Sequence, residues 1–132
     1  MKQLILFAIF AVGCSDVQLN ALTVPPPGKA AQLDAENLEL ELSHGVAFAF
    51  ECVESNSDYT GPCRDTTVTS QDSSIATAFD SYLDELAPAY GGGDLGPRSK
   101  SAFVVVGVTA GSTKLQVKTP EEDLTVRVTV VP

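Results

Sequence analysis

The chain has 132 residues, of which 17 are acidic and 8 are basic, so its formal net charge is −9. This balance disfavours nucleic-acid binding, because that function needs lysine and arginine to displace counterions from phosphate. An anionic lipid surface would also repel the chain. The length leaves room for one domain, so we expect a single acidic domain without a nucleic-acid partner.

The first sixteen residues, MKQLILFAIFAVGCSD, have the pattern of a bacterial export signal. Lys2 precedes an uncharged apolar run at 4–12, which suits the core of a signal peptide and is too short to span a membrane as a helix. The sequence from Ala11 to Cys14 resembles the lipobox of bacterial lipoproteins. That resemblance implies cleavage before Cys14 and attachment of lipid to this cysteine. The alternatives are an ordinary secretory signal and an uncleaved anchor.

The residues around Cys14 also suggest a location and a domain plan. Ser15 is not the aspartate that retains lipoproteins at the inner membrane of enteric bacteria, so the resemblance implies a lipid-anchored protein of the outer membrane in a bacterial cell envelope. Residues 1–13 are then the signal peptide. Three prolines at 25–27 favour an extended segment. We therefore predict a lipid-anchored flexible linker at 14–35 and a domain at 36–132.

Two cysteines remain once Cys14 carries lipid. In an exported chain, Cys52 and Cys63 are expected to form a disulfide. It would close a loop of about a dozen residues and stabilise the fold by roughly 2–3 kcal/mol. A metal site is the alternative, but two cysteines and the distant His44 lack the spacing of metal ligands. We therefore predict a disulfide, with no metal and no cofactor.

From residue 36, apolar and polar residues alternate, which is the pattern of half-buried β-strands. The segment ENLELEL places leucines on one face, and VAFAFECV places Val46, Phe48, Phe50 and Cys52 on one face. Residues 54–62 (ESNSDYTGP) are turn-forming throughout, so they are predicted to be turns. Further strands are predicted at about 64–70, 74–79, 102–109, 113–119 and 124–131, the one at 102–109 being suited to a sheet centre. About seven short strands, with no room for crossover helices, favour an all-β fold, an immunoglobulin-like antiparallel β-sandwich.

Residues 80–100 interrupt the strand pattern. The apolar residues at 79, 82, 83 and 86 have helical spacing, which predicts a short helical turn, and a glycine-rich loop follows. Loops on a rigid scaffold often carry binding residues, so this insertion is a candidate contact surface. The alternative is an insertion that only covers a sheet edge. The candidate binding residues are Tyr82, Tyr90, Gly91, Gly92, Gly93 and Arg98.

Three pieces of the sequence, in this order, resemble the bacterial immunoglobulin-like domain of group 2, the kind found in intimins and invasins. They are LELELSHGVAFAF with Gly45, the S-x-D-x-S-I-A-T stretch at 70–77, and the V-x-A-G-x-x-x-L-x-V stretch at 108–117. The resemblance covers about residues 36–131. It implies a role in adhesion, in scaffolding or as an accessory module that binds an unknown envelope or extracellular protein.

Two residues within these pieces have expected structural roles, and one segment departs from the family. Ile75 suits the buried centre of an inner face, and Gly111 suits a tight turn that needs a positive φ. The family usually has a short hairpin where this chain has the insertion at 80–100. The insertion is therefore peculiar to this protein.

The sequence offers no convergent catalytic groups. His44 is its single histidine, and the cysteines that could join it are expected to be paired. The glycines at 91–93 are not followed by Gly-Lys-Ser/Thr, so they do not indicate a phosphate loop. The acidic residues of the insertion lack the spacing of a calcium loop. We therefore predict a protein that is not an enzyme.

One alternative function comes from another class. Chagasin-type cysteine-protease inhibitors are also immunoglobulin-like sandwiches, and they carry a Thr-Gly loop and a later glycine-rich loop. Residues 58–61 (Asp-Tyr-Thr-Gly) and the glycines at 91–93 stand in loosely comparable places. The full Asn-Pro-Thr-Thr-Gly motif is absent, and Thr119-Pro120-Glu121 stands where the family has an Arg-Pro-Trp loop. The inhibitor function is therefore the runner-up.

Overall fold

The computed structural model describes residues 16–81 and 101–132, which form ten β-strands and no helix. The strands are β1 (Asp16–Ala21), β2 (Ala31–Asp34), β3 (Glu39–Ser43), β4 (Ala47–Ser55), β5 (Thr60–Pro62), β6 (Thr67–Ser70), β7 (Ala76–Ser81), β8 (Ala102–Gly107), β9 (Gly111–Lys118) and β10 (Asp123–Val131). The seven predicted strands correspond to β3, β4 and β6–β10. The predicted all-β sandwich is therefore confirmed.

The strands form two sheets around one core. The first sheet has the order β1-β4-β8-β7, with β5 paired to β4, and the second has the order β2-β3-β10-β9-β6. All neighbours are antiparallel except β3 and β10, which run parallel. As predicted for the apolar strand at 102–109, β8 lies inside its sheet, between β4 and β7.

The core is built by side chains that alternate inward along each strand. In β4, Phe48, Phe50 and Cys52 are buried, while the residues between them are only half-buried. The rings of Phe50 and Phe103 lie 5.6 Å apart between their centres. The second sheet contributes the buried side chains Leu40, Leu42, Leu115, Val117, Leu124, Val126, Val128 and Val130. The alternation predicted for β3 and β4 is thus confirmed.

The N-terminal boundary of the sandwich corrects the predicted linker at 14–35. β1 pairs with β4 along its whole length, and β2 pairs with β3. Val17 and Leu19 of β1 are buried in the core. The linker prediction was wrong for these strands, because β1 has only two large apolar residues, Val17 and Leu19, which give a weak alternation beside the proline run. Residues 22–30 connect the two sheets, and the predicted signal peptide and Cys14 lie outside the described residues.

Two smaller predictions also change. Residues 54–62 were predicted to be turns throughout, but β4 continues to Ser55 and residues 60–62 pair with it as β5. Phe79, predicted to open a helical turn, belongs to β7 and is 55% exposed. In β7 it pairs with Val104 of β8, and this cross-strand pairing overrides the local helical spacing. The rest of the predicted helical turn lies outside the described residues.

The S-x-D-x-S-I-A-T stretch forms the turn that carries the chain from β6 in one sheet to β7 in the other. Asp72 Oδ1 accepts hydrogen bonds from the Ser74 hydroxyl at 2.6 Å and from the Ser74 N–H at 3.0 Å. The Asp72 N–H donates to Thr113 Oγ1 at 3.1 Å. The hydroxyl bond, with the N–H bond, lowers the pKa of Asp72. The stabilisation that these hydrogen bonds give is fully present above the carboxyl pKa of the unfolded chain, about 3.9. It is lost as the pH falls through the lower pKa of Asp72 in the folded protein.

Two glycines of the resembling pieces have clear steric roles. Gly45 turns the chain between β3 and β4 with a φ of 76°, which L side chains rarely adopt. Gly111 opens β9, and a Cβ at this position would lie 3.2 Å from Ile75 Cδ1. Ile75 was predicted to lie at the buried centre of an inner face. It is instead half-buried and packs against the core. Gly45, Gly111 and Ile75 therefore serve the geometry and packing of the turns.

Candidate functional site

The strand directions divide the sandwich into two ends. Asp16 of β1 lies opposite Ser55 of β4, whereas Ala102 of β8 lies opposite Glu51, four residues away along β4. We call the end marked by Asp16 and Ser55 the entry pole; it comprises residues 16, 54–66 and 118–123. The opposite end is the far pole, which comprises residues 22–30, 43–46, 71–75 and 107–110. The entry pole is where the chain enters the sandwich.

The described residues beside the predicted contact segment lie about halfway along β4, since Ser81 pairs with Ala102, which pairs with Glu51. The candidate residues of this segment lie outside the described residues: Tyr82, Tyr90, Gly91, Gly92, Gly93 and Arg98. The residues on either side are placed: Ser81 ends β7, and Ser101 is buried directly before β8. The carbonyl of Ser101 accepts a hydrogen bond from the N–H of Cys52 at 2.7 Å. The end of this segment is therefore fixed beside a disulfide cysteine.

Cys52 and Cys63 form the predicted disulfide at the entry pole. Their Cα atoms lie 5.3 Å apart, and the two residues are separated by 11 positions. Both side chains are fully buried. The N–H of Cys63 also donates to the carbonyl of Cys52 at 2.9 Å. The bridge joins β4 to the segment that follows β5, so it holds the loop after β4 against the core.

Glu54 is a buried carboxylate that the sequence analysis missed. It follows Phe50 and Cys52 on the inner face of β4, and its side chain is only 1% exposed. Its Oε1 accepts a hydrogen bond from Arg64 Nε at 2.5 Å, and its Oε2 has no hydrogen-bond partner in the described part of the chain. The signal was available, because extending the β4 alternation by one step places Glu54 inside.

Arg64 covers the buried carboxylate from the solvent side. Its guanidinium carbon lies 4.6 Å from the centre of the Tyr59 ring, and its Nη2 lies 3.8 Å from Glu121 Oε1. The hydrogen bond to Glu54 raises the pKa of Arg64 above its ordinary value, so the guanidinium stays charged. The Tyr59 hydroxyl donates to the carbonyl of Pro62 at 2.9 Å. Arg64 thereby joins β4, the turn before β5 and the loop between β9 and β10.

Arg64→Ala should lower the free energy of unfolding by about 2 kcal/mol, because it leaves the Glu54 carboxylate buried and unpaired. Breaking a fully buried pair costs about 3–5 kcal/mol, and the Arg64 side chain is half exposed. Urea unfolding measures the change. Arg127→Ala is the matched control, since Arg127 bonds Glu39 at 2.6 Å on the surface and exposed pairs contribute about 0–1 kcal/mol. Equal losses in the two variants would contradict a structural role for Arg64.

Comparisons with known proteins bear on the fold. No protein-family model matches the chain, and no curated protein matches it. The sandwich is similar to domains 4 and 5 of the S-layer protein SbsC, with a TM-score of 0.55 and 20% identity, over 78% of this chain and 51% of that one. It is also similar to SbsC domains 1–6, with a TM-score of 0.53 and 22% identity, over 79% of this chain and 13% of that one.

A third solved structure, the S-layer protein rSbsC(31-844), has a TM-score of 0.53 and 18% identity, over 88% of this chain and 20% of that one. The chain thus spans about half of the SbsC chain of domains 4 and 5, and much less of the larger ones. At identities this low, the likeness to the solved structures shows a shared fold alone.

The structure corrects one feature behind the inhibitor alternative. Thr60 and Gly61 lie in β5, where they pair with Ser55 and Glu54, rather than in a loop. The glycines at 91–93 lie outside the described residues. The loop after β9 does lie at the entry pole, where the Thr119 hydroxyl donates to the carbonyl of Glu122 at 2.9 Å. The short strand β5 therefore removes the Thr-Gly loop on which the similarity depended.

An open depression of about 430 Å³ is lined by Gln71, Asp72, Ser112, Thr113, Lys114 and Arg127. Within residues 16–81 and 101–132, no three His, Cys, Asp or Glu side chains are placed to hold a metal ion. No helix in the same ranges is long and apolar enough to cross a membrane. The entry pole is therefore the part of the described structure in which a disulfide, a buried acid and a charged cover come together.

Proposed function

We propose that this chain is a lipid-anchored, non-catalytic protein of the bacterial cell envelope, held at the outer membrane through Cys14. Its sandwich acts in adhesion, in scaffolding or as an accessory module that binds another envelope or extracellular protein. The observation that carries the proposal is the likeness of this sandwich to domains of an S-layer protein. The resemblance to intimin- and invasin-type domains supports the same class of function.

The disulfide supports an exported protein. Disulfides form and persist in oxidising compartments such as the bacterial periplasm and the cell surface. The bridge between Cys52 and Cys63 is fully buried and closes an 11-residue separation. It agrees with the export signal predicted at residues 1–13.

The buried acid supports a structural rather than a catalytic role for the entry pole. Glu54 is enclosed in the core and bonded to Arg64, so a substrate cannot reach its carboxylate. A general acid or base must come within hydrogen-bond reach of the reacting atom. The Glu54–Arg64 pair instead fixes loops around a rigid scaffold, which suits a binding or spacing module.

Lipid attachment is tested by comparing the full chain with Cys14→Ala in a bacterial host. We expect the full chain to be cleaved before Cys14, to carry the mass of the lipid at that residue and to fractionate with membranes. Cys14→Ala should lose the lipid and the membrane association, because it removes the sulfur that accepts the lipid. Ser15→Ala is the control and should keep both. Cleavage at another site, with an unmodified Cys14, would support ordinary secretion instead.

Partner binding is tested by chemical cross-linking in the native cell, followed by purification and mass spectrometry. A reproducible protein partner would support the accessory-module function. Recovery of the lipidated protein without any partner above background would contradict it. Inhibition of a papain-like protease by the purified protein would support the inhibitor alternative.

A further inference from the structure

The folded domain begins almost directly at the proposed lipid site. β1 starts at Asp16, two residues after Cys14, and each of its residues pairs with β4, from Asp16 opposite Ser55 to Ala21 opposite Phe50. Val17 and Leu19 anchor the strand in the core. Two residues span at most about 7 Å even when fully extended. The Cα of Cys14 therefore lies within about 7 Å of the entry pole.

The direction of the strands then fixes which end of the domain is near the lipid. β1 starts at the entry pole and runs toward the far pole, antiparallel to β4. β4 has nine residues, so at about 3.3 Å per residue the two poles lie roughly 30 Å apart. The disulfide and the loop at 119–122 belong to the near end. The turns at 43–46 and 107–110 belong to the distant end.

The described surface of the entry pole is polar and acidic, so it is suited neither to insertion into lipid tails nor to attraction by anionic headgroups. Its exposed residues include the acidic side chains of Asp58, Asp65, Glu121, Glu122 and Asp123. The large apolar side chains exposed in the described structure are Leu22, Val24 and Val108, which lie at the far pole, and Phe79 on β7. An apolar wedge is therefore not presented at the described entry pole. The acyl chains on Cys14 would supply the affinity for the membrane.

We infer that the sandwich stands on the membrane surface with its entry pole against the lipid headgroups and its far pole toward the aqueous space. This orientation rests on the proposed lipid attachment at Cys14 and adds to it. It follows from the absence of room for a flexible linker before β1. A soluble partner then meets the far pole and the outer faces of the two sheets.

Three exposed lysines serve as built-in reporters of this orientation. Lys118 lies at the entry pole, Lys114 lies four residues earlier on β9, and Lys29 lies at the far pole. The experiment uses the purified full-length lipoprotein bound to the outside of phosphatidylcholine vesicles. A membrane-impermeant amine-acylating reagent modifies the lysines, and mass spectrometry gives the rate at each. The same spectra report the lipid on Cys14.

The reference is a variant with about a dozen Gly and Ser residues inserted between Ser15 and Asp16, a spacer whose r.m.s. length is about 20 Å. We expect Lys118 to react several-fold more slowly in the natural chain than in this variant, while Lys29 reacts at the same rate in both. Equal Lys118 rates in two chains that both carry lipid would overturn the orientation alone. A natural chain without lipid on Cys14 would overturn the proposed anchor, and the orientation with it.

Discussion

Phe103→Ala should lower the free energy of unfolding by about 4 kcal/mol, because deleting a buried aromatic ring removes its burial energy and leaves a cavity. Phe103 is fully buried, and its ring packs 5.6 Å from that of Phe50. β8 carries Phe103 between β4 and β7. An inner strand held on both sides has little freedom to move into the cavity, so the loss should be near the middle of the range for such changes. Urea denaturation measures it.

Phe79→Ala is the matched control for this prediction. Phe79 lies on the neighbouring strand β7 and is 55% exposed, so its truncation should change stability by about 0.5–1 kcal/mol at most. Phe103→Leu should fall between the two, since it keeps most of the buried volume. Similar losses for Phe103→Ala and Phe79→Ala would show that the packing around β8 is not as tight as its burial indicates.

The strands that the sequence predicts are those with a regular alternation. Leu40 and Leu42 in β3, and Phe48, Phe50 and Cys52 in β4, alternate over several steps and are all buried. Because each of these segments has one apolar face, its pairing register and its burial follow from its own residues. The family resemblance adds the order of the segments. For this reason the all-β sandwich was predictable without a structure.

The strands that the sequence does not predict depend on distant partners. β1 has only Val17 and Leu19 on its inner face, and its strand form follows from pairing with β4, about thirty residues later in the chain. β5 has three residues, including Pro62, and its pairing with β4 is closed by the neighbouring disulfide. Strand propensity depends strongly on such tertiary context. β1 therefore replaces part of the predicted linker, and β5 replaces part of the predicted turn.

The candidate site was predictable in part. The spacing and the export signal predicted the bond between Cys52 and Cys63, and the structure confirms it. Glu54 was missed because a glutamate before a turn is usually exposed, although the β4 alternation places it inside. Its partner Arg64 is ten residues away and could not be assigned from any local pattern. A buried ion pair of this kind is visible only after the strands are paired.

The extra strand β1 also changes how the proposed function is understood. A flexible linker would let the domain sample many orientations above a membrane, whereas β1 leaves one residue, Ser15, between Cys14 and the folded sandwich. The residues beside the predicted contact segment, Ser81 and Ser101, lie about halfway along β4, where Ala102 is opposite Glu51. In the inferred orientation, these two residues lie between the far pole and the membrane surface. A partner that binds the far pole would be about 30 Å above the membrane surface, one strand length away.

The double substitution Cys52→Ala/Cys63→Ala should lower the free energy of unfolding by about 3 kcal/mol, the loop-closure entropy expected for a bridge between residues 11 positions apart. The bridge holds β4 to the segment after β5; Cys52 precedes Glu54 by two residues, and Cys63 directly precedes Arg64. Its loss should therefore also increase amide hydrogen exchange across residues 53–64, the part of the entry pole that it closes. Urea denaturation and hydrogen exchange measure the two effects.

A reducing agent provides the matched control. Reduction of the natural chain should lower its stability by nearly the same amount, whereas the double variant should not respond to the reductant. Exchange at the far pole, in the turn at 43–46, should rise only with global unfolding, because the turn lies at the opposite end of the sandwich. A double variant as stable as the natural chain would show that the Glu54–Arg64 pair and the core already fix the entry pole without the bridge. Since that pole would face the membrane, its rigidity would then depend on packing alone and would persist in a reducing environment.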